Sequence, residues 1–147
     1  MLQPHSGSDQ EQVVDTMVEL TRLSTLHRAI VAGGDGMLLY LALRRRGFLR
    51  IATPATCRVG RGQHAVGLIA DRNSPACVEA ELGRISPFLS TNAAVAVLIN
   101  SREGSSSLKI RAALQAIGFR IEAGVRCQQG LVLSAYRHGF GQMEKAA

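Results

Sequence analysis

Seven consecutive residues, Ala93-Ala94-Val95-Ala96-Val97-Leu98-Ile99, carry no polar side chain. A run this short and this uniformly apolar reads as a strand buried on both faces, since a strand with one wet face would alternate. Both faces of such a strand must be covered, and helices on either side of a mostly parallel sheet do that. The rest of the composition agrees. Hydrophobic residues make up 46% of the 147-residue chain, yet aromatic residues make up only 4% and tryptophan is absent. The core must therefore be built from Ala, Val, Leu and Ile.

The other segments alternate between the two periodicities. Val13, Val14, Met17, Val18 and Leu20 recur at helical spacing, and Ser8 or Asp9 can cap that helix, which is expected to run to about Leu23. Arg28-Ala29-Ile30-Val31-Ala32 reads as a first strand, ending in the turn Gly33-Gly34-Asp35-Gly36. Met37, Leu38, Leu39, Leu41 and Ala42 open a helix that carries Arg44-Arg45-Arg46 in its last turn and stops at Gly47. Leu49 to Thr53 reads as a second strand closed by Pro54, and His64 to Ala70 as a third. Ser74-Pro75 opens another helix, Thr91 to Asn100 is the central strand, and Leu108 to Ile117 a last helix. Phe119 to Val125 and Leu131 to Tyr136, joined by Arg126-Cys127-Gln128-Gln129-Gly130, read as an antiparallel hairpin. The expected fold is thus α/β: three-layer, with a mostly parallel sheet closed by a C-terminal antiparallel β-hairpin. The expected organisation is a flexible N-terminus at 1–9, one domain over 10–140 and a tail over 141–147.

Charge and cysteine content narrow the function classes. Of 17 basic residues only Lys109 and Lys145 are lysines, and the formal net charge is +6. Nucleic acid is a conceivable partner on that ground. It is not favoured, because aromatic residues are not interleaved with the arginines as a single-strand binder requires. Cys57, Cys77 and Cys127 are far apart and lack CxxC spacing, so neither a disulfide framework nor a zinc site is expected. His5, His27, His64 and His138 show no metal-ligand spacing, and no Gly-x-Ser-x-Gly elbow occurs. Met1 to Glu11 lacks the form of a signal peptide, and no stretch approaches the roughly 18 apolar residues of a membrane helix. A cytoplasmic location without membrane contact is expected.

Candidate site residues follow from the expected sheet, because open α/β sheets bind ligands at the carboxyl ends of their strands. Gly33, Gly34 and Gly36 either cradle a ligand or simply make a tight strand-to-helix turn. Asp35 is placed to hydrogen-bond a cofactor or, more simply, to cap the helix that follows. Asp71, Arg72 and Asn73 follow the third strand, where Asp71 can orient a nucleophile or an amino group, or belong to an ordinary polar turn. Ser101 to Ser107, with Arg102, reads as a polar loop able to meet an anion or to cap a helix. Cys57 after the second strand reads as an ordinary thiol rather than a nucleophile.

Three segments carry a resemblance to the class I S-adenosylmethionine-dependent methyltransferases over roughly residues 10–137. Ile30-Val31-Ala32-Gly33-Gly34-Asp35-Gly36 stands where that family has an acid, one residue, then Gly-x-Gly-x-Gly. Leu68-Ile69-Ala70-Asp71 stands where its fourth strand ends in an acidic or polar active-site residue. "AIGFRIE" and "GLVLSAYR" resemble its final helix and reversed hairpin strand. The resemblance implies a Rossmann-like fold and S-adenosylmethionine as cofactor. It implies cofactor contacts at Ala32, Gly33, Gly34, Asp35, Gly36 and Thr53, and catalytic roles for Asp71 and Asn73. The sequence departs from the family at Ile30, which replaces the acid, and at Ala32, which replaces the first glycine. Thr53-Pro54 supplies no carboxylate where the family holds the ribose, and one strand–helix unit is missing between about Arg58 and Gly62. The implied function is methyl transfer to an unidentified substrate. The alternatives are a catalytically inactive methyltransferase-like binding or scaffold domain, as a homodimer, and a degenerate dinucleotide-binding domain. In the last case Leu39 stands where the third glycine belongs, and Arg58 or Arg61 could meet a 2′-phosphate.

Overall fold

A computed structural model describes residues 5–58, 60–71, 75–99 and 104–137. Helix α1 (His5–Thr21) leads into β1 (Ala29–Ala32), α2 (Gly36–Arg45), β2 (Ile51–Ala52) and β3 (His64–Ala70). Then follow α3 (Pro75–Ile85), a 3₁₀ turn (Ser86–Phe88), β4 (Leu89–Ile99), α4 (Gly104–Ala116), β5 (Phe119–Cys127) and β6 (Gly130–Arg137). The six strands form one sheet in the order β2-β1-β3-β4-β6-β5. Pairs β1–β2, β1–β3 and β3–β4 are parallel, whereas β6 runs antiparallel to both β4 and β5. This is the mostly parallel sheet with a closing hairpin that the sequence predicts.

The apolar runs become the central strands because each face of the sheet has its own helices. Val13 and Met17 of α1 and Leu39 and Leu43 of α2 pack on Val31, Leu68 and Leu98. Val78 and Leu82 of α3 and Ile110 and Leu114 of α4 pack on Ile30, Val95 and Val97 across the sheet. Alternate residues of β1, β3 and β4 thus point into opposite aliphatic cores, which is why the runs Ala29–Ala32, Ala65–Ala70 and Ala93–Ile99 lack polar side chains.

Element ends differ from expectation for local reasons. Helix α1 begins at His5, ahead of the anticipated cap at Ser8 or Asp9. It ends at Thr21, two residues early, because Arg22 takes a left-handed φ of 55° and the Leu23 N–H reaches back to the Val18 carbonyl at 3.1 Å. Strand β2 is only Ile51–Ala52 rather than Leu49–Thr53. Thr53 leaves the ladder to close a turn in which its N–H donates to Thr56 Oγ1 at 3.0 Å and its carbonyl accepts from the Thr56 N–H at 3.1 Å. Among the described residues no strand lies outboard of β2, where the sequence lacks a unit. The hairpin is tighter than expected: Cys127 pairs with Gly130, leaving Gln128-Gln129 as the turn. Glu122 is the extra residue of a bulge in β5, since Ile121 pairs with Ala135 and Ala123 with Ser134.

His64, at the start of β3, is almost wholly buried. Burial holds its imidazole below the usual range; a hydrogen bond to the Phe88 carbonyl acts the other way, and nearby Arg28 adds to the lowering. The sign of the consequence is fixed. Below about pH 6.5 the unfolded chain takes up a proton that the folded chain resists. His64 therefore contributes stability that is present above about pH 6.5 and is lost as the pH falls below it. We expect the gap in urea-unfolding free energy between the native chain and His64→Gln to narrow from pH 7 to pH 5. The slope should not exceed about 1.4 kcal/mol per pH unit. A gap that does not change with pH would contradict this account.

Candidate functional site

The strand order reverses direction between β1 and β3: the chain moves outward from β1 to β2, then returns past β1 to β3 and β4. The crevice at such a switch point is where open α/β sheets take ligands. Two predicted segments meet there, the turn Gly33–Gly36 after β1 and Asp71 after β3.

The turn is built onto the end of β3. Gly33 has φ of 99°, and a Cβ placed on it would lie 2.3 Å from the Ala70 carbonyl oxygen. The glycine is thus required by the chain's own backbone, because no side chain fits between β1 and β3 there. The Asp35 N–H donates to that same Ala70 oxygen at 3.0 Å. The Gly34 N–H donates to Oδ2 of Asp71 at 3.0 Å. The Gly36 N–H turns back to the Gly33 carbonyl at 3.0 Å. Three successive amides that could greet a ligand already have acceptors within the protein. Gly36 is different, since a Cβ on it would meet only the Val31 backbone, no nearer than 3.9 Å.

The remaining predicted residues are placed as follows. Asp35 occupies the N-cap position of α2, but its side chain makes no cap hydrogen bond; φ −100° and ψ 15° depart from the extended backbone that aims a capping oxygen at the helix. Its carbonyl accepts from the Leu39 N–H at 3.1 Å, so Asp35 starts the helix through its backbone. Ala32 is buried, and its methyl group belongs to the α3/α4 core. Asp71 is buried and clamps the turn. Thr53 sits across β1 from Asp71, in its own turn with Thr56. Asn73, Arg72 and the segment 101–103 lie outside the described residues. The structure thus joins Gly33, Gly34, Asp35 and Asp71 and leaves Thr53 apart.

What roofs this end of the sheet was not legible in the sequence. A cavity of about 20 Å³, room for one water, lies against Gln10, Val13, Asp35, Leu38, Ala70 and Gln129. Helix α1, through Gln10 and Val13, and the hairpin turn, through Gln129, thus lie against this end of the sheet. The helical spacing of the apolar residues in α1 announces a helix but not the end of the sheet on which it docks. A wider hollow of about 500 Å³ opens at the other end of α1, between Thr21 and Arg22 and the strand residues Asn92, Ala94, Glu122 and Tyr136. Among the described residues no cluster of His, Cys, Asp or Glu could hold a metal ion, and no helix is long and apolar enough to cross a membrane.

Asp71 should matter chiefly as a clamp. We expect Asp71→Ala to lower unfolding free energy by about 1–2 kcal/mol, because the partly buried Gly34 N–H loses its acceptor. Asp71→Asn, which keeps an oxygen acceptor, should cost less than half as much in the same urea titration. Equal losses would show that the hydrogen bond is not what Asp71 contributes.

No model of a known protein family matches the sequence, and no curated protein matches it. Solved structures do match it. A ribosomal-protein methylase from Lactobacillus delbrueckii superposes with a TM-score of 0.62 at 14% identity, over 88% of this chain and 78% of that one. A precorrin-6y methyltransferase from Geobacter metallireducens gives 0.59 at 10% identity, over 86% and 88%. A SAM-dependent methyltransferase from Aquifex aeolicus gives 0.56 at 9% identity, over 92% of this chain and 99% of that one. With its mostly parallel sheet, its helices on both faces and its reversed C-terminal hairpin, this chain has the fold of the class I S-adenosylmethionine-dependent methyltransferases.

Proposed function

We propose that this chain is a methyltransferase-like domain that acts as a binding or scaffold module rather than as a methyl-transfer catalyst. One observation carries the reading: the turn that would cradle a cofactor spends the amides of Gly34, Asp35 and Gly36 on the protein itself. The other described residues agree. Gly33 is filled against Ala70, and Thr53 offers no carboxylate to a ribose. These residues do not fit S-adenosylmethionine in the way the resemblance implies.

A binding role has a surface to use. Helix α2 turns Met37, Leu38 and Leu41 to solvent, at 59%, 43% and 47% exposure, beside exposed Arg44 and Arg45. An outward helix face is normally polar, so this face is the natural seat of the homodimer considered above. The net charge of +6 is also concentrated nearby. Residues 36–70 hold six arginines and no acid, while basic and acidic residues balance elsewhere.

The second reading is a methyltransferase that binds S-adenosylmethionine and places Asp71 and Asn73 at its substrate; the fold favours it. One experiment separates the two. The pure protein is titrated with S-adenosylmethionine and S-adenosylhomocysteine by calorimetry, and its mass in solution is read by sedimentation with and without Leu41→Glu. The scaffold reading expects no heat at millimolar ligand and a dimer that Leu41→Glu dissociates. Saturable cofactor binding would sink it in favour of the second reading. A monomer at all concentrations would remove the dimer alone.

A further inference from the structure

Cys57 and His64 face each other across the loop between β2 and β3. The Cys57 Sγ lies 3.9 Å from Nε2 of His64. The other ring nitrogen, Nδ1, lies 3.2 Å from the Phe88 carbonyl oxygen. A carbonyl can only accept, so Nδ1 carries the hydrogen and Nε2 of the neutral ring presents its lone pair to the thiol. A nucleophile within reach of a base, with the base oriented by a third group, is the signature of an activated nucleophile.

Each member is held independently. His64 is 2% exposed, anchored in β3 and packed edge-on against the Phe88 ring, with centroids 6.4 Å apart. Cys57 is half-buried against the α3/α4 core and remains partly open to solvent. Its loop is fastened at one end by the Thr53–Thr56 turn and at the other by the Gly62 N–H, which donates to the Pro87 carbonyl at 3.0 Å. Basic residues border the pair along the chain. Arg28 acts on His64, exposed Arg58 and Arg61 flank Cys57 in the loop, and no acid occurs between Asp35 and Asp71. Such a field draws anionic partners.

We propose that Cys57 is a reactive thiol that exchanges with small anionic disulfides, with His64 as its proton acceptor. The Cys57 thiol gives its proton to His64 Nε2, and the thiolate attacks one sulfur of the disulfide. The original S–S bond breaks as the Cys57 S–S bond forms, and the departing thiolate takes the proton back from His64. One disulfide is consumed and one is made.

The test uses the full chain and oxidised glutathione, with modification read at each cysteine by peptide mass spectrometry. Cys77, also half-buried, is the internal reference. At pH 7 Cys57 is expected to react about tenfold faster than Cys77, and to keep its lead toward pH 6, because burial leaves His64 unprotonated further into acid than an ordinary imidazole. His64→Asn keeps a donor for the Phe88 carbonyl and lacks the base, and should bring Cys57 to within about twofold of Cys77. His64→Gln is the second variant if the first does not fold, and the pH profile of the native chain decides if neither does. Equal rates at Cys57 and Cys77 in the native chain would overturn the proposal. So would an undiminished lead in either folded variant. Faster exchange with cationic cystamine than with glutathione would overturn the anionic preference.

Discussion

Gly33→Ala should lower unfolding free energy by on the order of 3–4 kcal/mol, a large part of the roughly 5–15 kcal/mol that holds a domain of this kind together. Two costs combine. A left-handed backbone at φ 99° costs a residue with a Cβ about 1–2 kcal/mol. The Cβ would also stand 2.3 Å from the Ala70 oxygen, so β1 and β3 must part where the Asp35 N–H holds that same oxygen. Overpacking of this sort costs about 1–3 kcal/mol. Gly36→Ala is the control: its Cβ would find only the Val31 backbone, no nearer than 3.9 Å, and it opens a helix, so a change within about 1 kcal/mol is expected. Equilibrium urea unfolding with both variants reads the difference. Glycines kept only for a cofactor would make the two substitutions equally mild, and that result would also weaken the scaffold reading.

Arg137→Ala should cost about 2–4 kcal/mol, the next largest effect. From the end of β6 its Nη1 donates to the carbonyls of Leu89 at 3.1 Å and Ser90 at 3.3 Å. Its Nη2 donates to Ser86 Oγ at 2.9 Å, and the guanidinium lies 4.6 Å from the centre of the Phe119 ring. One side chain thus ties both hairpin strands to the start of β4 and to the 3₁₀ turn before it. Burial lowers its pKa, but a guanidinium stays charged at any pH a protein survives. Charge-assisted hydrogen bonds are worth about 1.5–3 kcal/mol, and the cation–π contact adds about 0.5–1 kcal/mol. Arg137→Lys keeps the charge but not the fork, and should recover less than half of the loss. Amide hydrogen exchange should quicken in β5 and β6 before the rest of the sheet. Uniform quickening, or a loss below about 1 kcal/mol, would show that Arg137 is not the clamp.

Much of the architecture was legible because each signal came from side-chain chemistry along a single segment. The aliphatic runs of β1, β3 and β4 state that both faces are covered, and the spacing of α1, α2 and α4 states which faces they bury. The late pair of strands, with no helix between them, states that the sheet ends in a reversal. Element ends were less legible, because they depend on partners. β2 shrinks to two residues since only β1 pairs with it and Thr53 finds Thr56 instead.

The candidate site divides along the same line. The sequence by itself determined that a glycine turn follows β1 and that an acid follows β3. Residue types at a strand end are enough for that. Only the tertiary structure decided what those residues do. Bringing β3 beside β1 sets the Ala70 oxygen against Gly33 and the Asp71 carboxylate against the Gly34 amide, 37 positions apart in the chain. The same through-space logic puts His64 behind Cys57 and aims its lone pair through the carbonyl of Phe88. Hydrogen-bond partners are chosen by distance in space, and a sequence records only distance along the chain.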